Sequence, residues 1–378
     1  MFNWNRLTFL ESTANLKPLI RKATGRTPST SIAREVATCL QQGRLFFQAA
    51  EASALEIRPL LLFYGTMAFS KALVVSQTLQ SLSTLPRSHG VMDTSVPRAR
   101  VVDLSIRLGT AGTFQRFNDV VAQLNCLPYH DHETMPQIVK LPAAPAAQMG
   151  TLALSLQDIL SRVPGLDSIY RRTYRESPLT LPFTLYASSR DQDFMELRID
   201  YPEVFRDRAG LVDLVRRLRQ QFPALAQWRV VRAMRAWGVT IILFGNVAVP
   251  GDEFSATTLV GDGSEFSLTN DPETDATQPK NLIVDILSPP GGSFSSHTCL
   301  ISPIAGHYIS EYALHYLGMF LLSCVVRYRP QTWVHVITRT TTQDNPVDDQ
   351  ALALLEEFMT IHSATMPGLL ADVLDPDH

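Results

Sequence analysis

The sequence predicts an α+β fold, in which helices from both ends of the chain form the core and the middle forms an antiparallel or mixed sheet. Two stretches, 59–82 and 312–327, are apolar on nearly every side, which is typical of buried helices. Neither can bury itself alone, so we expect the two to pack on one another. Between 178 and 302 the pattern changes to short runs rich in β-branched and aromatic residues, bounded by Pro, Gly, Asp and Asn.

An αα-hairpin is predicted at 31–82, because its first half carries apolar residues at helical spacing and Pro59 is well placed to begin a second helix. Residues 1–28 are expected to form only a short lead-in. The predicted parts are an N-terminal helical part (1–125), a linker with a short helix (126–177), a β-rich middle (178–302) and a C-terminal helical part (303–378) packing on the first. Strands are expected at 181–186, 194–199, 239–249, 254–260, 265–268 and 282–287, and further helices at 151–164, 203–222 and 347–363.

The composition is that of a soluble protein, with 378 residues, 45% hydrophobic residues and a net charge of −3. Such a charge gives no whole-protein attraction to nucleic acid or membrane. The N-terminus does not have the pattern of a secretory signal, and four scattered cysteines without a CxxC pair fit reduced thiols. We therefore expect a cytoplasmic protein with no membrane association. No GxxxxGK[ST] and no GxSxG occurs, and neither a cofactor nor a metal is predicted.

Arg327, Arg329 and His335 are the candidate catalytic residues. Arg329 and His335 fit the Arg-x(4–6)-His spacing of HEPN-type ribonucleases, in which a guanidinium can hold the scissile phosphate and an imidazole can move a proton. Pro330 places a helix break between them. The alternative, which we favour, is that Arg327 caps the C-terminal end of its helix.

Lys71 is conspicuous because it lies inside an apolar helix. We expect it to extend its charge to the surface or to pair with Glu311, and it could instead hold a phosphate or act as a base. His307, Glu311 and His315 recur every four residues and share one helix face. The candidate ligand-binding residues are Lys71, Arg87, His89, His307 and Glu311.

The segment 206–235 is dense in arginine, and Arg216, Arg217 and Arg219 are its candidate nucleic-acid contacts. The alternative is an ordinary solvated helix face. The run His130-Asp131-His132-Glu133 offers metal-ligand side chains, but consecutive positions do not converge on one ion, so we interpret it as a solvated loop.

The motifs QQGRLFFQAAEASALEIRPLLLFYGTMAFSKAL (41–73), His89-Gly90, Gly112-Thr113-Phe114 and SPIAGHYISEYALHYLGMFLLSCVVRYRPQTW (302–333) resemble the YaaC-like family of bacterial proteins. The sequence departs from that pattern at Arg329, where an acidic residue is usual. The resemblance implies a bacterial intracellular protein, names no substrate, and gives weight to Lys71, His89, Arg327 and Trp333. By association it favours a binding or regulatory component of a stress or anti-phage defence system, with a protein partner or a second copy of itself. A metal-independent HEPN-like ribonuclease is the alternative.

Overall fold

The structure is a computed structural model that describes residues 3–97, 99–124, 126–129, 137–140, 143–187, 195–245, 257–260, 265–268, 299–338 and 346–375. The predicted strand at 282–287 and the His130 to Glu133 run lie outside the described residues.

Helices dominate both ends of the chain. They are α1 (Trp4–Leu10), α2 (Thr13–Thr24), α3 (Thr30–Glu51), α4 (Arg58–Thr78), α5 (Thr113–Leu124), α6 (Ala146–Met149), α7 (Leu156–Leu160), α8 (Asp167–Tyr174), α9 (Arg208–Gln221), α10 (Glu311–Tyr328), α11 (Pro330–Thr338) and α12 (Pro346–Leu374).

The strands are short, and every described strand pair is antiparallel. They are β1 (Val91–Asp93), β2 (Ser105–Leu108), β3 (Cys126–Tyr129), β4 (Gln137–Lys140), β5 (Ala153–Ser155), β6 (Thr180–Pro182), β7 (Thr184–Ala187), β8 (Met195–Tyr201), β9 (Arg229–Ala236), β10 (Val239–Gly245), β11 (Thr257–Val260), β12 (Glu265–Leu268) and β13 (Cys299–Ile301). The largest sheet has the order β11-β12-β9-β10-β8-β7, and the smaller sheets are β1-β2-β5, β13-β6 and β3-β4.

Helices α3 and α4 form the predicted hairpin, and two glycines let them approach closely. A Cβ on Gly43 would lie 2.3 Å from the Phe69 ring, and a Cβ on Gly65 would lie 2.4 Å from the Phe47 ring. Each phenylalanine of one helix thus occupies the space above a glycine of the other, and the two ring centroids are 5.1 Å apart. This reciprocal contact, which we call the Gly–Phe crossing, fixes the hairpin.

Helix α10 packs on α4, as the sequence predicts, and the two helices run antiparallel. The Phe63 ring lies 5.6 Å from the Phe320 ring, while one turn further along α4 the Met67 sulfur accepts a hydrogen bond from Tyr316. At the other end the Trp333 indole of α11 donates to the Glu56 carbonyl, just before α4 begins. The α+β architecture with a helical core from both chain ends is therefore confirmed.

The buried apolar residues fall into two clusters. The larger one joins α1–α5, α7, α8 and α10–α12. The smaller one lies between the six-stranded sheet and α9, whose buried face presents Leu211, Leu214, Val215 and Leu218. The β-rich part of the chain thus has a hydrophobic core of its own. The buried Arg162 guanidinium bonds the carbonyls of Ser302 and Pro303, and it fastens α7 to the segment that follows β13.

Several predictions of local structure were wrong. The segment expected to be a lead-in contains α1 and α2, which bury Leu7, Leu10, Leu16 and Ile20, because these residues lie on one side of their helix. The segment 151–164, predicted as a helix, begins with β5 before α7. The strand Arg229–Ala236 was not predicted, because its arginines mask the alternation of its buried residues. Helices α5 and α8 were also missed.

Helix α4 is the one described helix long and apolar enough to span a membrane. Within the protein 78% of its most apolar window is buried. That burial is what a core helix of a soluble protein shows, since the partners α3 and α10 cover its apolar sides.

Candidate functional site

Two short motifs that the sequence singled out interlock and fix the position of His89. Gly90 has a φ of +77°, a conformation that favours glycine, and a Cβ on Gly112 would lie only 2.2 Å from Gly90. The Phe114 amide at the start of α5 donates to the His89 carbonyl at 3.0 Å. The Gln115 side chain donates to the Gly90 carbonyl at 2.8 Å. The His89 loop is therefore tied to α5 through backbone groups, which leaves the imidazole to face α4 and α10.

The imidazole of His89 rests on two aromatic rings and is half-buried. Its centroid lies 5.4 Å from that of Phe63 and 5.8 Å from that of Phe320. Its Nδ1 atom is buried and has no hydrogen-bond partner among the described residues. Burial lowers the pKa of His89, and the positive charges of Arg327 and Lys71 lower it further. The imidazole is thus neutral at physiological pH.

Arg327 and Lys71 are the two cations that act on His89. Arg327 lies in the last turn of α10 and donates to the carbonyl and the hydroxyl of Ser323, each at 3.2 Å. Lys71 lies on α4 near Cys39, whose pKa burial raises to about 11 although Lys71 opposes that rise. No ion pair joins Arg327 or Lys71 to a carboxylate in the part of the chain that the structure describes. We call His89, Lys71 and Arg327 the cationic site.

The predicted pair of Lys71 with Glu311 was wrong. Glu311 begins α10 and lies 3.6 Å from His315, four residues further along the same helix. His307 pairs through its backbone with Ile304 in a tight turn. The charges of Lys71 and Arg327 act on the His89 imidazole. Within the described ranges, no hydrogen bond, ion pair or ring contact joins Arg87, His307 or Glu311 to His89, and none of these three contributes to the shift of its pKa.

Arg329 is engaged in a clamp on the loop after β1. Its Nε and Nη2 atoms donate to Asp93, and Nη2 and Nη1 also donate to the carbonyls of Ser95 and Val96. His335 is exposed on α11, beyond the helix break that Pro330 predicted. Arg329, which stands where the family pattern usually has an acidic residue, is thus paired with the carboxylate of Asp93. The guanidinium holds protein groups where a ribonuclease would need it to hold phosphate.

The three candidate nucleic-acid-binding arginines of α9 are engaged within the protein as well. Arg217 donates to Glu203 at 2.6 and 2.9 Å, and this contact holds the pKa of that carboxyl below its ordinary value. Arg216 lies 3.3 Å from Asp213. Arg219 donates to the backbone carbonyls of Leu225 and Trp228. The three candidate nucleic-acid contacts therefore have protein partners, which is the arrangement of a solvated helix face.

A second polar feature lies deep in the helical core, where sequence reasoning expected only packing. Thr66 and Ser70 of α4, His315 of α10 and His362 of α12 are fully buried, and we call them the polar centre. The two imidazole centroids are 5.3 Å apart. His362 could have been found as the one histidine on the apolar face of the last helix, but nothing in the sequence pairs it with His315.

A shallow cleft of about 600 Å³ opens between α8 and α12. Arg172, Glu357, Ser168 and Thr173 are among its lining residues. Its lining residues include none of the cationic site or of the polar centre, and no sequence motif marks it.

The chain matches the model of the family described as YaaC-like Protein over residues 8–374, which is nearly its whole length. No curated protein and no solved structure gives a significant match. The match covers the His89 loop, both core helices and the arginine clamp, and it agrees with the resemblance of the sequence motifs. The chain therefore belongs to the YaaC-like family.

Proposed function

We propose that this protein is a binding component that recognises a small anionic ligand, a phosphate ester or a carboxylate, at the cationic site. The observation that carries the proposal is that the half-buried imidazole of His89 rests on two aromatic rings with its Nδ1 unpartnered, and that two cations which pair with no carboxylate among the described residues act on it. Partly buried charges are normally paired, so an anion bound beside His89 would interact favourably with both Lys71 and Arg327.

Each residue would contribute a different interaction. The planar guanidinium of Arg327 offers paired N–H donors, which match the oxygens of a phosphate or carboxylate. The ammonium of Lys71 adds a point charge. His89 becomes a better donor once an anion is bound, because a nearby negative charge raises the pKa of an imidazole. The aromatic floor of Phe63 and Phe320 limits water on one side.

The test uses inorganic phosphate and the full chain. We expect phosphate to raise the melting temperature of the wild-type protein and to move the NMR titration midpoint of His89 to higher pH. Arg327→Gln and Lys71→Gln should each lower phosphate affinity at least tenfold. Arg171→Gln, on the exposed side of α8, is the matched control and should bind as the wild type does.

An equal response of Arg327→Gln, Arg171→Gln and wild type would overturn the proposal, because the response would then be a general salt effect. No observation on the described residues favours the ribonuclease alternative, since Arg329 would first have to release Asp93. A role in stress or anti-phage defence, and a protein partner or second copy, stay predictions from the resemblance.

A further inference from the structure

The polar centre combines full burial with unmet hydrogen-bonding groups. Thr66 and Ser70 lie one turn apart on the same side of α4, and the Thr66 hydroxyl contacts the Nε2 atom of His362 at 2.8 Å. The His315 ring stacks on the Phe358 ring with centroids 5.3 Å apart and lies the same distance from the His362 ring. Three helices from opposite ends of the chain thus contribute polar side chains to one layer of the core.

The hydrogen bonds determine the protonation state of His362. The Thr66 hydroxyl donates its hydrogen to the Leu62 carbonyl at 2.7 Å, so it can only accept from His362. The Nε2 atom of His362 therefore carries the proton, and its Nδ1 atom is a bare acceptor. That Nδ1 atom has no partner among the described residues.

Three further buried polar atoms also lack a hydrogen-bond partner among the described residues. The Ser70 hydroxyl and both ring nitrogens of His315 lack a hydrogen-bond partner within the described ranges. Glu311 Oε1 lies 3.6 Å from His315 Nε2, too far for a direct hydrogen bond. Most buried polar atoms in proteins are satisfied, and several unsatisfied atoms in one layer point to a bound molecule.

We infer that the polar centre binds a small uncharged molecule that both donates and accepts hydrogen bonds, with ordered water as the simplest member of this class. His362 Nδ1 requires a donor from that molecule, whereas the Ser70 hydroxyl can give or take a hydrogen. The two ring nitrogens of His315 offer further hydrogen-bonding positions to that molecule.

The surroundings explain why the molecule is uncharged. Burial, with a smaller contribution from His315, lowers the pKa of His362 well below its ordinary value, so the imidazole stays neutral. The rest of the layer is apolar or aromatic, with Phe47 stacked on His362 at 5.5 Å. The Glu311 carboxylate lies 3.6 Å from His315, at the edge of the core with 12% of its side chain exposed, and it would repel an anionic ligand.

The first test is a stability comparison of Ser70→Ala and His315→Phe in the full chain. If a molecule is bound, each change deletes hydrogen bonds to it, and the melting temperature falls. If the layer is dry, each change removes an unsatisfied polar group, and the melting temperature rises. Ser323→Ala is the matched control for Ser70→Ala, because the Ser323 hydroxyl is also fully buried on a core helix but already bonds the Phe320 carbonyl.

The second test needs no variant, so it stands even if His315→Phe fails to fold. Long-range ¹H–¹⁵N NMR of the wild type should show a protonated Nε2 and a hydrogen-bonded, unprotonated Nδ1 for His362. A high-resolution crystal structure should show density within hydrogen-bond distance of His362 Nδ1 and Ser70 Oγ. Mass spectrometry of the denatured protein then identifies the bound molecule. Release of a small organic compound would show an organic ligand, whereas no such release would show that the molecule is water. The inference would be overturned if both variants had higher melting temperatures than the wild type, or if the crystal structure showed no electron density for a bound molecule in the polar centre.

Discussion

Replacing Gly65 with alanine tests the Gly–Phe crossing that joins α3 and α4. The new Cβ would lie 2.4 Å from the ring of Phe47 and 3.3 Å from the carbonyl oxygen of Gly43. Carbon atoms in good contact are about 3.5–4.0 Å apart, so the ring would have to move by roughly 1 Å. Phe47 is fully buried, packs against the tilted ring of Phe69 and stacks on His362, so these neighbours restrict its movement.

Two opposing effects set the magnitude. Alanine is favoured over glycine inside a helix by about 1 kcal/mol. Overpacking a well-filled core costs about 1–3 kcal/mol, and the rigid surroundings of Phe47 place Gly65→Ala towards the upper end. We therefore expect the free energy of unfolding to fall by roughly 1–2 kcal/mol.

Gly368→Ala provides the matched control, because Gly368 lies inside α12 and an added Cβ there meets nothing within 4 Å. That variant should gain about 1 kcal/mol from helix propensity alone. Urea denaturation of the two variants measures the difference, expected at roughly 2–3 kcal/mol. The double variant Gly65→Ala, Phe47→Leu should recover part of the loss. If Gly65→Ala proves as stable as Gly368→Ala, the crossing is not the tight contact described above.

Three further predictions concern charged and titratable groups. Arg329→Ala should lower the free energy of unfolding by roughly 1–3 kcal/mol in urea denaturation, because it leaves half-buried Asp93 without its partner; an unchanged midpoint would show that the clamp contributes nothing. Because burial lowers the pKa of His362 in the folded protein, this residue takes up a proton on unfolding at pH values below its ordinary pKa of 6.5. The wild type should therefore lose stability as the pH falls, by roughly 1.4 kcal/mol from this residue between pH 7.5 and 5.5. The loss should be smaller in His362→Phe, and equal slopes would contradict the assignment. His335→Ala should cleave single-stranded RNA no differently from the wild type, and a selective loss of cleavage would restore the ribonuclease hypothesis.

The sequence predicted the helical core well because its signals are strong and local. Helix α10 was expected at 312–327 and spans Glu311–Tyr328, and the hairpin at 31–82 contains α3 and α4. The strand at 265–268 has the predicted bounds. In each case a proline, glycine or capping residue marks the end of a clear apolar pattern.

The site could be predicted only in part, because it depends on how helices are rotated. A helix that is apolar on all sides gives no indication of which neighbour each residue faces. The sequence therefore favoured an ion pair of Lys71 with Glu311, whereas the charge of Lys71 lowers the pKa of His89 and Glu311 lies beside His315. His89 carried weight only through the family motif, and the interlock of Gly90 with Gly112 joins positions that no local pattern relates. His362 went unnoticed as a site for the same reason, since its partners Thr66 and His315 lie far away in sequence.

The short pairing of β6 with β13 affects which parts of the chain can change in length during evolution. Thr180 lies opposite Ile301, so the polypeptide leaves the helical core and returns to it at adjacent points. Arg162 and the Leu179–Ser302 backbone hydrogen bond hold the two ends of the intervening segment in place. Insertions and deletions in the intervening sheet can therefore accumulate without altering the path of the helices.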